Sequence, residues 1–513
     1  MKKILTLVLA LAMALSCIGF TAVAESEIAE KVVVGLNNDP QNLGPFQGMS
    51  AGRIGVLYTM YEMLAVTEGG ETYGVLMQDC EKVDDLTYNI TIYDYIYDQA
   101  GNHLTADDIV WCYETAIASG NLPKLSSSIE SVIRIDEYTA QFKFTALAIG
   151  DLGALLMECP IVTRAAYEAS PDQMATDPVS TTAYAITEHV SGSKIVFENT
   201  GNYWQTDASK IRKTSAANVQ TIEFDIIPDG SQLTNALKTR AIDVTVWLSD
   251  TDIVDFQDAE GYSLASIPDN TTYGMIFNDS ANGSSIFKDN LEARQAVAYA
   301  IDNNMLVQGA LDGNGNPAYT IGNENYSDFL AKWKEEDYYN YDPTKAAELA
   351  QSSGLAGQTV TVMYVSTDIN SKLFSIIQAL LGQIGVNVEG LGIDTQLYNQ
   401  YKYEDDKWDI CLIQDGSTSY LVNVWKMEWD RTGYTHGGAV NFVVDDELQQ
   451  LLETAMDADL HNDETMDAFH RYLTDNCYGI GLVQQMSNVA HTDTIKVLVT
   501  DARGQVIPGG CEY

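Results

Sequence analysis

The residues that most often carry catalysis are present but badly spaced for it. Six histidines (His103, His189, His436, His461, His470 and His491) are dispersed, and no two stand at ligand spacing on one helix. Zinc hydrolysis of the HExxH kind needs two imidazoles one turn apart, so that chemistry is excluded. Ser191-Gly192-Ser193-Lys194 spells SxxK, but the nucleophile of that motif must open a helix beside a KTG partner. Here it opens a β-branched strand and reads as a turn. Asp312-Gly313-Asn314-Gly315-Asn316 begins like a calcium loop, yet Pro317 takes the obligatory glycine position and Asn323 that of the bidentate glutamate. It too reads as a turn. There is no GxxxxGK[ST] loop to cradle phosphates. No cofactor and no metal site is expected. The alternative from another class is a secreted hydrolase using a carboxylate pair that nothing in the sequence marks out.

Binding asks for different residues: aromatic and apolar walls around a few charges. Tyr420, Trp425 and Trp429 cluster after Trp408-Asp409, with Asp415 between. The cysteines after Cys17, namely Cys80, Cys112, Cys159, Cys411, Cys477 and Cys511, are scattered without a CxxC. Up to three disulfides or six buried thiols are both compatible with that pattern.

The elements that must position these groups come from a long, acidic, ordinary globular chain. Its 513 residues make three or four domain-sized units, and 28 Lys+Arg against 72 Asp+Glu give a net charge of −44. Such a surface repels phosphate backbones, which excludes nucleic-acid binding and docking to anionic membranes through a basic patch. Lys2 and Lys3, the apolar run Ile4 to Leu15 and Ala22-Val23-Ala24 form an export signal over residues 1–24. The mature protein is then extracellular, cell-surface or periplasmic. Ala14-Leu15-Ser16-Cys17 loosely fits a lipoprotein box, which makes Cys17 a candidate lipid anchor.

Strands and helices alternate. Lys31 to Leu36, Leu86 to Tyr93, Ser193 to Asn199, Val219 to Ile227 and Thr272 to Asn278 are β-branched or aromatic-rich strands. Thr105-Ala106-Asp107-Asp108 is a capping box opening a helix, Asn290 to Asn303 is a second helix, and Asp342-Pro343 starts a third. Gln358 to Val365, a helix near Ser371 to Ile384 and Val386 to Glu389 make a β-α-β module. Trp408 to Ile413 is a short strand and Asp445 to Ala458 another amphipathic helix.

In order, VVVGLNNDPQNLGPF (Val32 to Phe46), YEML (Tyr61 to Leu64), LTYNITIY (Leu86 to Tyr93), GNHLTADDIVWCYETA (Gly101 to Ala116), GNYW (Gly201 to Trp204), NALKTRAIDV (Asn235 to Val244), EARQAVAYAID (Glu292 to Asp302), YDPTKAAELAQSSGL (Tyr341 to Leu355) and DDELQQLLETA (Asp445 to Ala455) resemble one family. It is that of the extracellular solute-binding proteins of dipeptide, oligopeptide and nickel ABC importers. The resemblance covers essentially the whole mature chain. Pro178-Val179-Ser180-Thr181-Thr182-Ala183-Tyr184 departs from it, since the family has glycines at two of those places.

The resemblance implies a bilobal α/β fold of the periplasmic-binding-protein type with an inserted subdomain and a two-crossing hinge. Lobe I would comprise 32–55, 178–269 and 489–513, the insertion 56–177, and lobe II 270–488. It implies capture of a peptide-like solute, or of nickel or an oligosaccharide, for an ABC permease and its ATPase subunits. Peptide-binding members carry an aspartate for the ligand's α-ammonium where this chain has Asp415. The Asn38 to Leu43 loop with Asn38, Asp39 and Leu43, Trp247 after the AIDV segment, and Tyr273 would line the cleft by family position, beside Tyr420 and Trp425. The arginine that oligopeptide binders offer to a ligand carboxylate has no counterpart upstream of Asp415, where Cys411-Leu412-Ile413-Gln414 is mostly apolar.

Overall fold

The computed structural model describes residues 28–49, 51–68, 71–280, 283–336, 338–416, 420–430, 445–501 and 504–513. The export signal and Cys17 lie outside the described residues.

The β-branched segments become the strands of one long sheet. In chain order its members are β1 (Ala29–Leu36), β8 (Tyr184–Val190), β9 (Lys194–Asn199), β10 (Val219–Ile226), β11 (Val244–Thr245), β12 (Tyr262–Phe277), β13 (Gly315–Pro317), β14 (Thr359–Val365), β15 (Asn387–Ile393), β16 (Ile410–Asp415) and β17 (Gly479–Thr492). The order across the sheet is β15-β14-β16-β12-β17-β11-β1-β10-β9-β8, with β13 beside β17. Two strands of 16 and 14 residues, β12 and β17, carry the sheet from one lobe into the other. Their pairing slips at the crossing: Pro268 faces Met486, then Thr272 faces Gln484, so β12 spends four steps against two on β17. Such a bulge concentrates bending and twist at one place. Sequence reading began this strand at Thr272; it begins ten residues earlier, because polar Ser263, Ser266, Asn270 and Thr271 hide the alternation.

The inserted subdomain has its own antiparallel sheet of β4 (Met77–Asp84), β5 (Thr87–Ile92), β7 (Thr139–Phe144) and β6 (Ile129–Arg134), with a hairpin of β2 (Ala65–Glu68) and β3 (Glu71–Gly74). The helix Ala106–Ser119 packs on it, opened by the Thr105/Asp108 capping box. A single core, from Val32 and Phe224 through Tyr113 and Phe142, joins insertion and lobe I. In lobe II one sheet face packs on Phe277, Val297 and Leu380, and the other on Trp333, Trp425 and Phe469.

Distant motifs meet in that first core. Glu62 of the YEML segment accepts the hydroxyl of Tyr203 and, at 2.7 Å, the indole N–H of Trp204, both from GNYW. Its amide donates to Thr181 Oγ1 at 2.9 Å, and Thr182 Oγ1 donates to the Thr59 carbonyl at 2.6 Å. Thr181 and Thr182, the second of which stands at one of the two glycine places, thus tie that strand entry to Glu62 and to the helix Ala51–Met60. Glu62 is buried, which raises its carboxyl pKa to about 7 against the pull of its hydrogen bonds.

The SxxK segment is the turn between β8 and β9, and the Asp312 segment is a turn entering β13. The helix expected over 290–303 is two: Leu291–Ala300, then Asn303–Ala310 capped by Asp302. The six cysteines from Cys80 to Cys511 are free thiols. Among the described residues, no helix is long and apolar enough to cross a membrane.

Candidate ligand-binding cleft

Strand direction builds the cleft. β1 and β11 run parallel, Val34 facing Val244, and β11 is antiparallel to β17, so both end toward the crossing. In the other lobe β14, β15 and β16 are parallel, and β16 is antiparallel to β12 with Asp415 opposite Thr272. β16 therefore also ends at the crossing, pointing the other way. Carboxyl ends of parallel strands from both lobes face each other across the bulge, which is where open α/β sheets bind ligands.

Polar atoms there lack partners. The half-buried Trp247 follows β11; its amide donates to Thr245 Oγ1 at 3.2 Å, while its indole Nε1 is buried without a hydrogen-bond partner among the described residues. Thr272 Oγ1 and Asp415 Oδ2 are in the same condition on directly opposed strand positions. An orphaned buried donor or acceptor costs about 1–3 kcal/mol, which a ligand bringing the complementary atom recovers.

Asp415 is held from beneath. Alternation along β16 puts it on the face of Cys411 and Ile413, against the helix Leu421–Trp429. Glu428, buried in the last turn of that helix, hydrogen-bonds to it. Burial raises both carboxyl pKa values, that of Glu428 also through the charge of Asp415, and Lys402 opposes both. Two carboxyls joined by a hydrogen bond need a proton between them, so the pair holds one proton and presents one charge. The helix is fixed at its start by Asp328, whose carboxylate takes the amides of Leu421 at 2.7 Å and Val422 at 3.1 Å. Trp425 Nε1 donates to the Ile321 carbonyl at 2.8 Å.

The other candidates sort by burial. Asn38 is exposed at the end of β1. Asp39 accepts from Ser191 Oγ at 3.1 Å and the Gly192 amide at 2.6 Å, so it pins the β8–β9 turn. Leu43 and Trp425 are fully enclosed and serve the core, not the cleft wall, because neither leaves surface for a ligand. Tyr273 is buried with its hydroxyl donating to Gln485 Oε1 at 3.1 Å. Half-buried Tyr420 stands edge-on to His461 at 5.5 Å, and the charge of Glu71 from the insertion acts on its hydroxyl. Asn423 Nδ2 donates to the Ile149 carbonyl at 3.1 Å, which brings the insertion onto lobe II. Sequence reasoning missed Thr272 and Glu428. The second left a signal: an acid three residues after Trp425 falls on the buried helix face.

Two lobes joined by two crossing strands, with the cleft at their strand ends, define a bilobal binding protein. Residues 72–431 match the family described as "Bacterial extracellular solute-binding proteins, family 5 Middle", and the chain belongs to that family. It is 22% identical over 278 residues to the dipeptide-binding protein of Escherichia coli, an alignment spanning 49% of this chain and 48% of that one, so the chain spans about half the length of the curated relatives it matches. The structure of HbpA2 from Haemophilus parasuis superposes with a TM-score of 0.82 at 16% identity, over 94% of this chain and 99% of that one. NikA from Brucella suis, solved with Fe(III)-EDTA, gives 0.74 at 16% identity over 94% and 99%.

Proposed function

We propose that this chain is the exported substrate-binding component of an ABC importer, that it encloses a peptide-like solute between its lobes, and that it passes the solute unchanged to a permease with paired ATPases. The observation that carries the reading is the set of polar atoms without hydrogen-bond partners among the described residues, Trp247 Nε1, Thr272 Oγ1 and Asp415 Oδ2, gathered where strand ends of both lobes meet. Lobe I is 32–55, 178–269 and 489–513, the insertion 56–177 and lobe II 270–488, with the hinge at the bulge after Pro268. A ligand touching both lobes favours the closed form by its differential affinity. Asp415 is the anchor for the solute's ammonium, replacing the proton it shares with Glu428.

Small-angle scattering with a panel of di- to pentapeptides, followed by mass spectrometry of the recovered peptide, tests this. A smaller radius of gyration with intact peptide is expected. An unchanged radius, or cleaved peptide, overturns it.

A further inference from the structure

A cavity of about 280 Å³ lies in lobe II, away from the cleft. Its floor includes Gly479, Ile480 and Gly481 at the start of β17. Gly479 pairs with Ile276, four residues beyond Thr272, which puts the cavity about 13 Å along the sheet from the crossing.

The walls are aromatic and acidic. Tyr319, Tyr338, Tyr339 and Tyr341 line the cavity together with Asp302, Glu336 and the fully enclosed Trp333, and among the described residues the lining includes no lysine or arginine. Tyr319 and Tyr341 are exposed, at 40% and 41%, so both rings are open to a ligand. Glu336 Oε1 accepts from Arg471 Nη2 at 2.6 Å, while its Oε2 has no hydrogen-bond partner among the described residues. Arg471 is engaged at the wall itself, with Nη2 on Glu336 and Nη1 on the Tyr338 hydroxyl at 3.1 Å, and also through Nε on Asp467 at 2.8 Å; Lys332 sits on that Asp467 carboxylate at 2.8 Å, and Lys334 on Glu324. The Lys334 ammonium sits 5.9 Å from the Tyr319 ring centroid, so that ring already draws a cation. Behind Trp333, His470 stacks at 4.1 Å and is fully enclosed. Burial pushes its imidazole down to about 4, so this ring carries no positive charge at neutral pH.

Aromatic faces combined with carboxylates select positive charge on an apolar body, because the ring quadrupole and the acid attract the cation while the ring planes take its methyl or methylene groups. An anion would meet two carboxylates, and the Arg471 guanidinium beside Glu336 is already taken up by that acid and by Asp467. We propose that this cavity is a second binding site, separate from the cleft, for a small organic cation carrying an ammonium group.

Choline and its uncharged isostere 3,3-dimethylbutan-1-ol are the probes, followed by ligand-observed NMR on the full mature chain. Choline should bind saturably by about 10 mM, where a millimolar site fills. The isostere should bind about tenfold more weakly, and Tyr341→Ala and Glu336→Gln should each weaken choline about tenfold. Tyr341→Ala removes an exposed ring, so it reports on the site even if Glu336→Gln disturbs folding. Equal binding of both probes, no saturable binding, choline binding unchanged in Tyr341→Ala, or displacement of choline by a cleft-bound peptide would each overturn the assignment.

Discussion

Replacing Glu62 by glutamine should make the protein more stable at alkaline pH and remove one component of its pH dependence. Glu62 sits where three segments of lobe I and the insertion converge, with Tyr203 and Trp204 on its carboxyl and Thr181 on its amide. Its ordinary pKa of 4.5 rises to about 7 by burial. Between those values the native chain keeps a proton that the unfolded chain has released, so stability falls as pH rises from about 4.5 to about 7 and is level above. At about 1.4 kcal/mol per pH unit, that interval is worth up to about 3 kcal/mol. Glutamine mimics the protonated acid: its carbonyl accepts the Trp204 N–H and its amide donates to the Tyr203 hydroxyl. Urea unfolding of both proteins at pH 5 and pH 8 isolates the effect. The mutant should gain about 2–3 kcal/mol on the wild type between the two pH values. A difference that stays constant with pH would refute the reasoning and mean that Glu62 is ionised in its native site.

Asp415→Asn should weaken a peptide with a free amino terminus by about 2–5 kcal/mol in calorimetry and leave the thermal midpoint of the empty protein almost unchanged; normal binding by the mutant, or equal binding of acetylated peptides by the wild type, would remove Asp415 as anchor. Because burial holds Asp415 and Glu428 above the ordinary carboxylate range, affinity for such a peptide should rise with pH above that range as the shared proton becomes easier to expel, and this dependence should vanish in Asp415→Asn. Gly322→Ala should cost about 2–4 kcal/mol in denaturant unfolding, since φ there is +140° and a methyl group would run into Leu421 at the start of the helix that carries Glu428. Native protein at pH 8 should react negligibly with a thiol reagent until unfolded, because burial raises Cys80 to about 11 and Cys411 to about 12.

Much of the architecture is written locally. The Thr105/Asp108 box, the Asp342-Pro343 start and the alternation of β5 and β10 each appear in the structure within a residue or two of where the sequence puts them, because caps and periodicities act over a few residues. The ordered motifs of the solute-binding family carry the fold in the same way, and Asp415 is legible through that resemblance alone. The long strand β12 is not legible, since polar residues around its bulge break the alternation that marks a strand. Nor is the state of Asp415. That depends on Glu428, thirteen residues on, being folded back against it by a helix whose start is held by Asp328, about ninety residues earlier. The sequence alone determined which segments become strands, which residues are acidic and which kind of ligand that charge disfavours. Only the tertiary structure decided that Leu43 and Trp425 are walled into cores and that Thr272, Trp247 and Asp415 reach one crossing with atoms left without partners among the described residues. Burial and charge coupling are set by groups far apart in the chain, and spacing along the sequence carries no measure of either.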